Sequence, residues 1–368
     1  MKNLTIILPL VAVLGIHPQI VTAAPPAPLK LVQTIEVPQV NCQNPNLGRQ
    51  QLAQAVDTFF MPGMTCHFDR FGLDLKGGRL FVVAFGVAEN SGTVQVYALP
   101  SGKLLHSITG FVMPHNVFVR SDVNRIYVTD GSASHGFLRI FNGTTYRLVK
   151  TVRLLPDADS MAYDPATHNL YVTNGGKLAK LDYTLLSIVN TDSDEHIGDI
   201  KINATRLEHL VVSRSNRKIF INITDRREIG IIDTRRRALA AAWPVTSGHL
   251  NVALDLDEAD HRLFVACRSG RLNVFDTKTG KVIVALPIAT GADDVTYDPE
   301  HRRIYVSCAE GFVDVYRQRD PDHYTLIDRV PTGPMGKNCI LVSSLSRLYV
   351  GVPKHGDVES EVLAYRVQ

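Results

Sequence analysis

The chain has 368 residues, 45% of them hydrophobic and 20% charged. That is an ordinary globular balance, and it excludes a disordered or fibrous protein. The formal net charge of +3 is small and evenly spread, which argues against nucleic acid as a partner because nucleic acid demands a clustered basic face.

The N-terminus reads as a targeting segment. Lys2 precedes a mostly apolar run from Leu4 to Ile16, followed by Val21-Thr22-Ala23-Ala24 and a Pro-rich stretch. A charged start, a short apolar core and small residues at the −3 and −1 positions mark a secretory signal peptide over residues 1–23. Cleavage after Ala23 is expected, since cutting after Ala24 would put Pro25 at +1. The apolar run is too short for a permanent anchor, and no later segment supplies one. Residues 24–368 are therefore expected to form one exported, soluble and monomeric domain, secreted or periplasmic, with no transmembrane anchor.

Leu31–Pro38 (LVQTIEVP) has strand character, and an insertion follows from Gln39 to His67. Within it, Leu52, Ala55, Val56, Phe59 and Phe60 fall on one side of a possible helix. In an exported protein Cys42 and Cys66 are the local disulfide candidates. A bridge there would make residues 39–67 a stapled lid. A plain decoration shielding a junction explains the segment equally well. The other cysteines, Cys267, Cys308 and Cys339, sit in strand-like runs and read as buried inert thiols, and no metal-type Cys spacing occurs.

From residue 79 onward one stretch recurs: RLFVVAFG, RIYVTDG, NLYVTNGG, KIFINIT, RLFVACRSG, RIYVSCAEG and RLYVGVPKHG. Their second residues are Leu80, Ile126, Leu170, Ile219, Leu263, Ile304 and Leu348, successively 46, 44, 49, 44, 41 and 44 residues apart. Each copy follows an apolar segment with a polar turn and precedes further alternating strands, as in LNVFDTKTGKVIVALPI from Leu272 to Ile288. A period of about 44 residues with four short strands is that of a propeller blade. The fold class expected is all-β, a seven-bladed β-propeller. The last copy ends at VLAYRVQ, one strand short, and LVQTIEVP resembles the missing fourth strand. The N-terminal strand is thus expected to close the ring, and removing residues 25–40 should cost far more than trimming a terminus.

With Tyr171-Val172-Thr173-Asn174 and its variants in the other copies, the sequence resembles the YVTN-repeat (YncE-like) family of seven-bladed propellers. The broader group includes quinoprotein amine dehydrogenase propeller chains. The resemblance covers Leu31 to Gln368. It implies the fold, while propellers as a class host binding, scaffolding, lyase and hydrolase roles alike.

In a propeller the innermost strands surround a channel and begin on one face. Aligning the seven units places equivalent pairs there: Asp69-Arg70, His115-Asn116, Asp159-Ser160, Glu208-His209, Leu250-Asn251, Asp293-Asp294 and Lys337-Asn338. Blade 5 has two extra turn residues, so His249 competes for its rim position. Convergent polar groups at a channel mouth make a default binding site, although a wet rim is polar without function. Three histidines among carboxylates could hold Zn²⁺ or a similar divalent metal, or act as acid and base. Two loops on the same face are secondary candidates, one with His135 and one with Lys354, His355 and Asp357. A third loop, Gly175 to Tyr183, is an insertion in blade 3. Its register has an alternative, because KLAKLD also resembles a third strand.

No phosphate-binding loop, HExxH or nucleophile elbow is present. Two functions follow as expectations. The first is an exported binding module whose mouth takes a protein, glycan or small-molecule ligand. The alternative is a metal-assisted lyase or hydrolase using His115, His209 and His249, supported by Asp293, Asp294 and Glu208. An electron-transfer accessory role follows only from the quinoprotein analogy.

Overall fold

Each copy of the repeat sets a leucine or isoleucine beside an aromatic residue, and neighbouring side chains of a strand point to opposite faces. The pair therefore wedges between units. Ile126 shares an apolar cluster with Phe81, Val94 and Val96 of the preceding unit, and Tyr127 shares one with Met161 and Leu170 of the next. The seven aromatics at this position are Phe81, Tyr127, Tyr171, Phe220, Phe264, Tyr305 and Tyr349. None is more than 1% exposed. Stacking in this manner leaves a ring as the arrangement that covers every face.

A computed structural model describes Met1 and residues 26–38, 66–86 and 91–368. It shows seven antiparallel sheets, each running from an innermost to an outermost strand. Blades 1 to 6 occupy residues 66–111, 114–153, 161–202, 207–244, 251–287 and 292–331. In blade 1 the innermost strand is split into Cys66–Phe68 and Gly72–Asp74, both paired with Arg79–Gly86. The signal segment, the lid-like insertion and the Cys42–Cys66 pairing lie outside the described residues or depend on side chains that do.

The seventh blade joins the two ends of the chain. Asn338–Val342, Arg347–Val352 and Glu361–Val367 supply its inner three strands, and Leu29–Glu36 supplies the outermost. The pairing runs antiparallel from Leu29 opposite Val367 to Glu36 opposite Glu361. Val37 N–H donates to Ser360 O at 2.9 Å, and Gln368 N–H to Pro28 O at 3.1 Å, fastening the seam at both ends.

The two ends of the ring differ. At one end every turn from first to second strand puts a left-handed residue just before the second strand: Gly78, Asn124, His168, Arg217, His261, Arg302 and Ser346, with φ from 47° to 60°. At the other end the innermost strands begin, and the loops between second and third strands emerge. In blade 3 the third strand is Thr184–Asn190, so KLAKLD belongs to the loop. Gly176 opens this loop at φ 76°, and a Cβ there would lie 2.3 Å from Thr205 O.

Cys267, Cys308 and Cys339 are free and buried, and burial pushes the Cys267 thiol up to about 12. No helix among the described residues is long and apolar enough to cross a membrane.

Within the ring, Asp255 links two inner strands. Its carboxylate accepts the Tyr297 N–H of the next blade at 2.7 Å, and burial pushes its pKa up to about 6. The folded carboxyl holds its proton to higher pH than the unfolded one. Its contribution to stability is therefore full below about pH 4 and is lost as pH rises through about 6. A two-unit shift corresponds to about 2–3 kcal/mol. Asp255→Asn should remove that slope between pH 4 and 6 in urea titrations, and an unchanged slope would show that another group sets it.

Candidate functional site

The mouth is built by a repeated irregularity. In blade 2, Pro114 pairs with Asp130 and Asn116 with Thr129, so His115 bulges out of the ladder. In blade 6, Ala292 pairs with Cys308 and Asp294 with Ser307, releasing Asp293 in the same way. Bulges re-aim side chains at the rims of barrels and at active sites. The same irregularity falls at Glu208-His209 in blade 4, between Leu207 and Leu210. Six of the seven aligned pairs occupy equivalent places: Asp69-Arg70, His115-Asn116, Asp159-Ser160, Glu208-His209, Asp293-Asp294 and Lys337-Asn338.

Blade 5 departs from the alignment. Its bulge lies between Asn251 and Ala253, so the equivalent pair is Val252-Ala253 and not Leu250-Asn251. The longer turn displaced the register by two. Asn251 instead braces the sheet, its Nδ2 donating to Asn222 Oδ1 at 2.8 Å and to Glu228 O at 3.1 Å. His249 lies outside the strand on the exposed turn, and its backbone N–H donates to Ser269 Oγ at 2.8 Å.

Most of the mouth's charges neutralise one another. Arg70 Nη1 lies 2.8 Å from His209 Nδ1 of blade 4 and 2.5 Å from Asp294 Oδ1 of blade 6. A group from blade 1 that reaches both must cross the axis. Asp294 also accepts the Cys339 N–H at 3.1 Å and Asn338 Nδ2 at 3.4 Å. Asp293 sits between Arg268 and Lys337 Nζ, the latter at 2.5 Å. Arg206 Nε donates to Glu208 Oε1 at 2.9 Å.

These contacts set protonation. His209 is half-buried; desolvation and then the neighbouring Arg70 take its pKa well below the ordinary imidazole value, and Nδ1 is occupied as an acceptor. Burial opposes ionisation of Asp293, but Arg268 and then Lys337 overcome it and hold the carboxyl far below its usual range. Burial pushes Asp294 up to about 6 despite Arg70.

Blades 1 to 3 form the uncompensated arc. His115 Nδ1 lies 2.8 Å from Asp69 Oδ2, and its Nε2 donates to Gly131 O at 2.9 Å. Burial disfavours the imidazolium, but Asp159 and then Asp69 overcome it and raise the pKa to about 10. Asp159 is itself raised, first by burial and then by Asp69, and Asp157 rises to about 7 through burial and Asp159. The carboxyl groups Asp69, Asp157, Asp159, Glu208, Asp293 and Asp294 face the fixed cations Arg70, Arg206, Arg268 and Lys337, and His115 supplies a further positive charge when protonated.

Sequence reasoning missed Arg268, Arg206, Asp157 and His67, because none belongs to an aligned pair. Arg268 follows the second strand of blade 5 and fills the side of the mouth where Val252 offers no charge. His67 is buried beside Phe85, with ring centroids 5.4 Å apart, and burial with Lys337 lowers its pKa to about 3.

The secondary loops share this face. His135 is exposed and its Nδ1 lies 2.8 Å from Ser134 Oγ. His355 Nδ1 donates to Pro353 O at 3.0 Å, and Lys354 pairs with Glu359. A recess of about 260 Å³ lies at the opposite end, but its Arg79 and Asp74 bind each other at 2.6 Å.

No family model matches the chain, and no curated protein matches it in sequence. In three dimensions it is similar to a chain of the mitotic checkpoint complex, with TM-score 0.69 and 10% identity over 97% of this chain and 99% of that one. The RRP9 WD40 repeats give 0.66 and 12% over 83% and 98%. A chain of Kuenenia stuttgartiensis hydrazine synthase gives 0.63 and 15% over 76% and 91%. At these identities the likeness establishes the propeller fold.

Proposed function

We propose that this chain is an exported propeller of the YVTN-repeat type that acts as a binding module through its channel mouth. The observation that carries the reading is the ring of charged and polar side chains on one face, joined there by long polar loops of blades 2, 3 and 7. Loops on a rigid scaffold are where recognition concentrates. Two of the similar propellers fit such a role by description, one as a chain of a checkpoint complex and one as WD40 repeats. Lys2, the apolar run and Val21-Thr22-Ala23 support export to a secreted or periplasmic location. The partner is a protein, a glycan or a small ligand, and the spread of charge argues against nucleic acid. The chain is read as a monomer.

The three histidines do not form the joint site that the lyase or hydrolase alternative drew on. His209 already accepts from Arg70, and His249 stands exposed outside the mouth.

Affinity capture from an extract of the exported compartment, backed by a glycan array, tests the proposal. Glu208→Gln and Lys337→Gln on the mouth should abolish retention of a partner. Lys76→Gln and Arg147→Gln at the far end and on the outer surface should leave it unchanged. Retention that is insensitive to the mouth changes would overturn the reading.

A further inference from the structure

The arc of blades 1 to 3 has a construction that the rest of the mouth lacks. In blades 4 and 6 the acidic members of the aligned pairs, Glu208, Asp293 and Asp294, each meet an arginine or lysine. In the arc, two carboxylates from different blades converge on one imidazole. One ligand atom each from Asp69, His115 and Asp159 lies within 4.8 Å of the others. Three atoms so spaced can all stand about 2.0–2.6 Å from a common point, the range of metal–oxygen and metal–nitrogen bonds.

The orientation of His115 is the second and independent observation. Gly131 O can only accept, so Nε2 carries the proton of that hydrogen bond. Nδ1 is then the atom presented to the carboxylates. A metal-ligating histidine characteristically donates its other ring N–H to a backbone carbonyl or carboxylate, which fixes the tautomer and aims the free nitrogen. A neutral Nδ1 lone pair facing Asp69 Oδ2 at 2.8 Å repels it unless a positive charge lies between them. In the ion-free protein a proton fills that position. A divalent ion satisfies it more fully, because it also engages Asp159.

We propose that Asp69, His115 and Asp159 form a binding site for one divalent first-row transition ion at the channel mouth. One imidazole with two carboxylates suits Zn²⁺ or Mn²⁺, whereas Mg²⁺ and Ca²⁺ prefer oxygen alone. Three protein ligands leave coordination positions open toward the mouth, where water or an anionic group of a partner completes the sphere. The site rests on these three residues, and it deepens the binding-module reading by naming what the mouth can present to a ligand.

The experiment is equilibrium dialysis of the chelator-stripped chain against Zn²⁺ or Mn²⁺, with bound metal measured by mass spectrometry. One ion per chain is expected, with affinity reduced at least tenfold in His115→Gln and in Asp159→Asn. His249→Ala should bind as the unaltered chain does. Co²⁺ loading of the unaltered chain gives a second readout that needs no variant: a visible absorption band that Zn²⁺ displaces in stoichiometric amount. Absence of a bound ion and of that band overturns the proposal, as does binding that both variants retain in full. The outcome is separable from the partner test: capture through the mouth without metal removes only this inference, and metal binding without capture removes only the other.

Discussion

A chain begun at Gln39 should lose most of its stability, melting about 10 °C or more below the full chain and running on a sizing column as aggregate. The missing strand Leu29–Glu36 makes the whole outer ladder of blade 7. Its Leu29 and Ile35, with Val37 just beyond, are each 4% exposed, and burial of each is worth about 1.5–3 kcal/mol. The sum is at least about 5 kcal/mol against a typical total of about 5–15. Each kcal/mol moves the melt of a domain this size by about 2 °C. The unpaired edge of Glu361–Val367 would also be left open to another chain, the usual route to aggregation. A melt identical to that of the full chain would refute closure by this strand.

Asp293→Ala is expected to be the most damaging single substitution at the mouth. It removes the carboxylate that Arg268, whose side chain is 7% exposed, and Lys337 both bind. Breaking a buried pair typically costs about 3–5 kcal/mol, because a desolvated charge loses its direct counterion. Removing Arg268 as well should recover part of the loss, since both members of the ion pair are then gone. The pH profile identifies the cause. A carboxyl whose folded pKa is depressed stabilises the fold above its unfolded value near 3.8, and that contribution is lost as pH falls toward the folded value. The penalty of the variant should therefore be equal at pH 7 and pH 5 in urea titrations. A penalty that halves across that interval would point to a group other than Asp293.

The fold was legible because its core rule is written in adjacent residues. Wherever Leu or Ile precedes Tyr or Phe in the repeat, the strand wedges two blades together, and seven such wedges define the ring. The seam was legible for a related reason, as LVQTIEVP carries the pattern of a fourth strand. The left-handed positions before each second strand were not, since only Gly78 among them is a glycine. Blade 5 failed at the mouth because a bulge has no residue signature, so two additional turn residues could not be assigned to one side of it. Arg268 was invisible because its partner lies on the next blade, a relation that repeat alignment does not express. The three histidines looked alike in sequence. What separates them is their surroundings: Arg70 takes the lone pair of His209, solvent surrounds His249, and Gly131 orients His115.

The Arg70 guanidinium bridges blades 4 and 6 from blade 1 and so lies as a crossbar in the bore. Three blades that are not neighbours in sequence are thereby tied together by one side chain. The relative placement of blades 1, 4 and 6 at this face is therefore set by a polar contact as well as by the apolar wedges, and a change at Arg70 would be felt in all three.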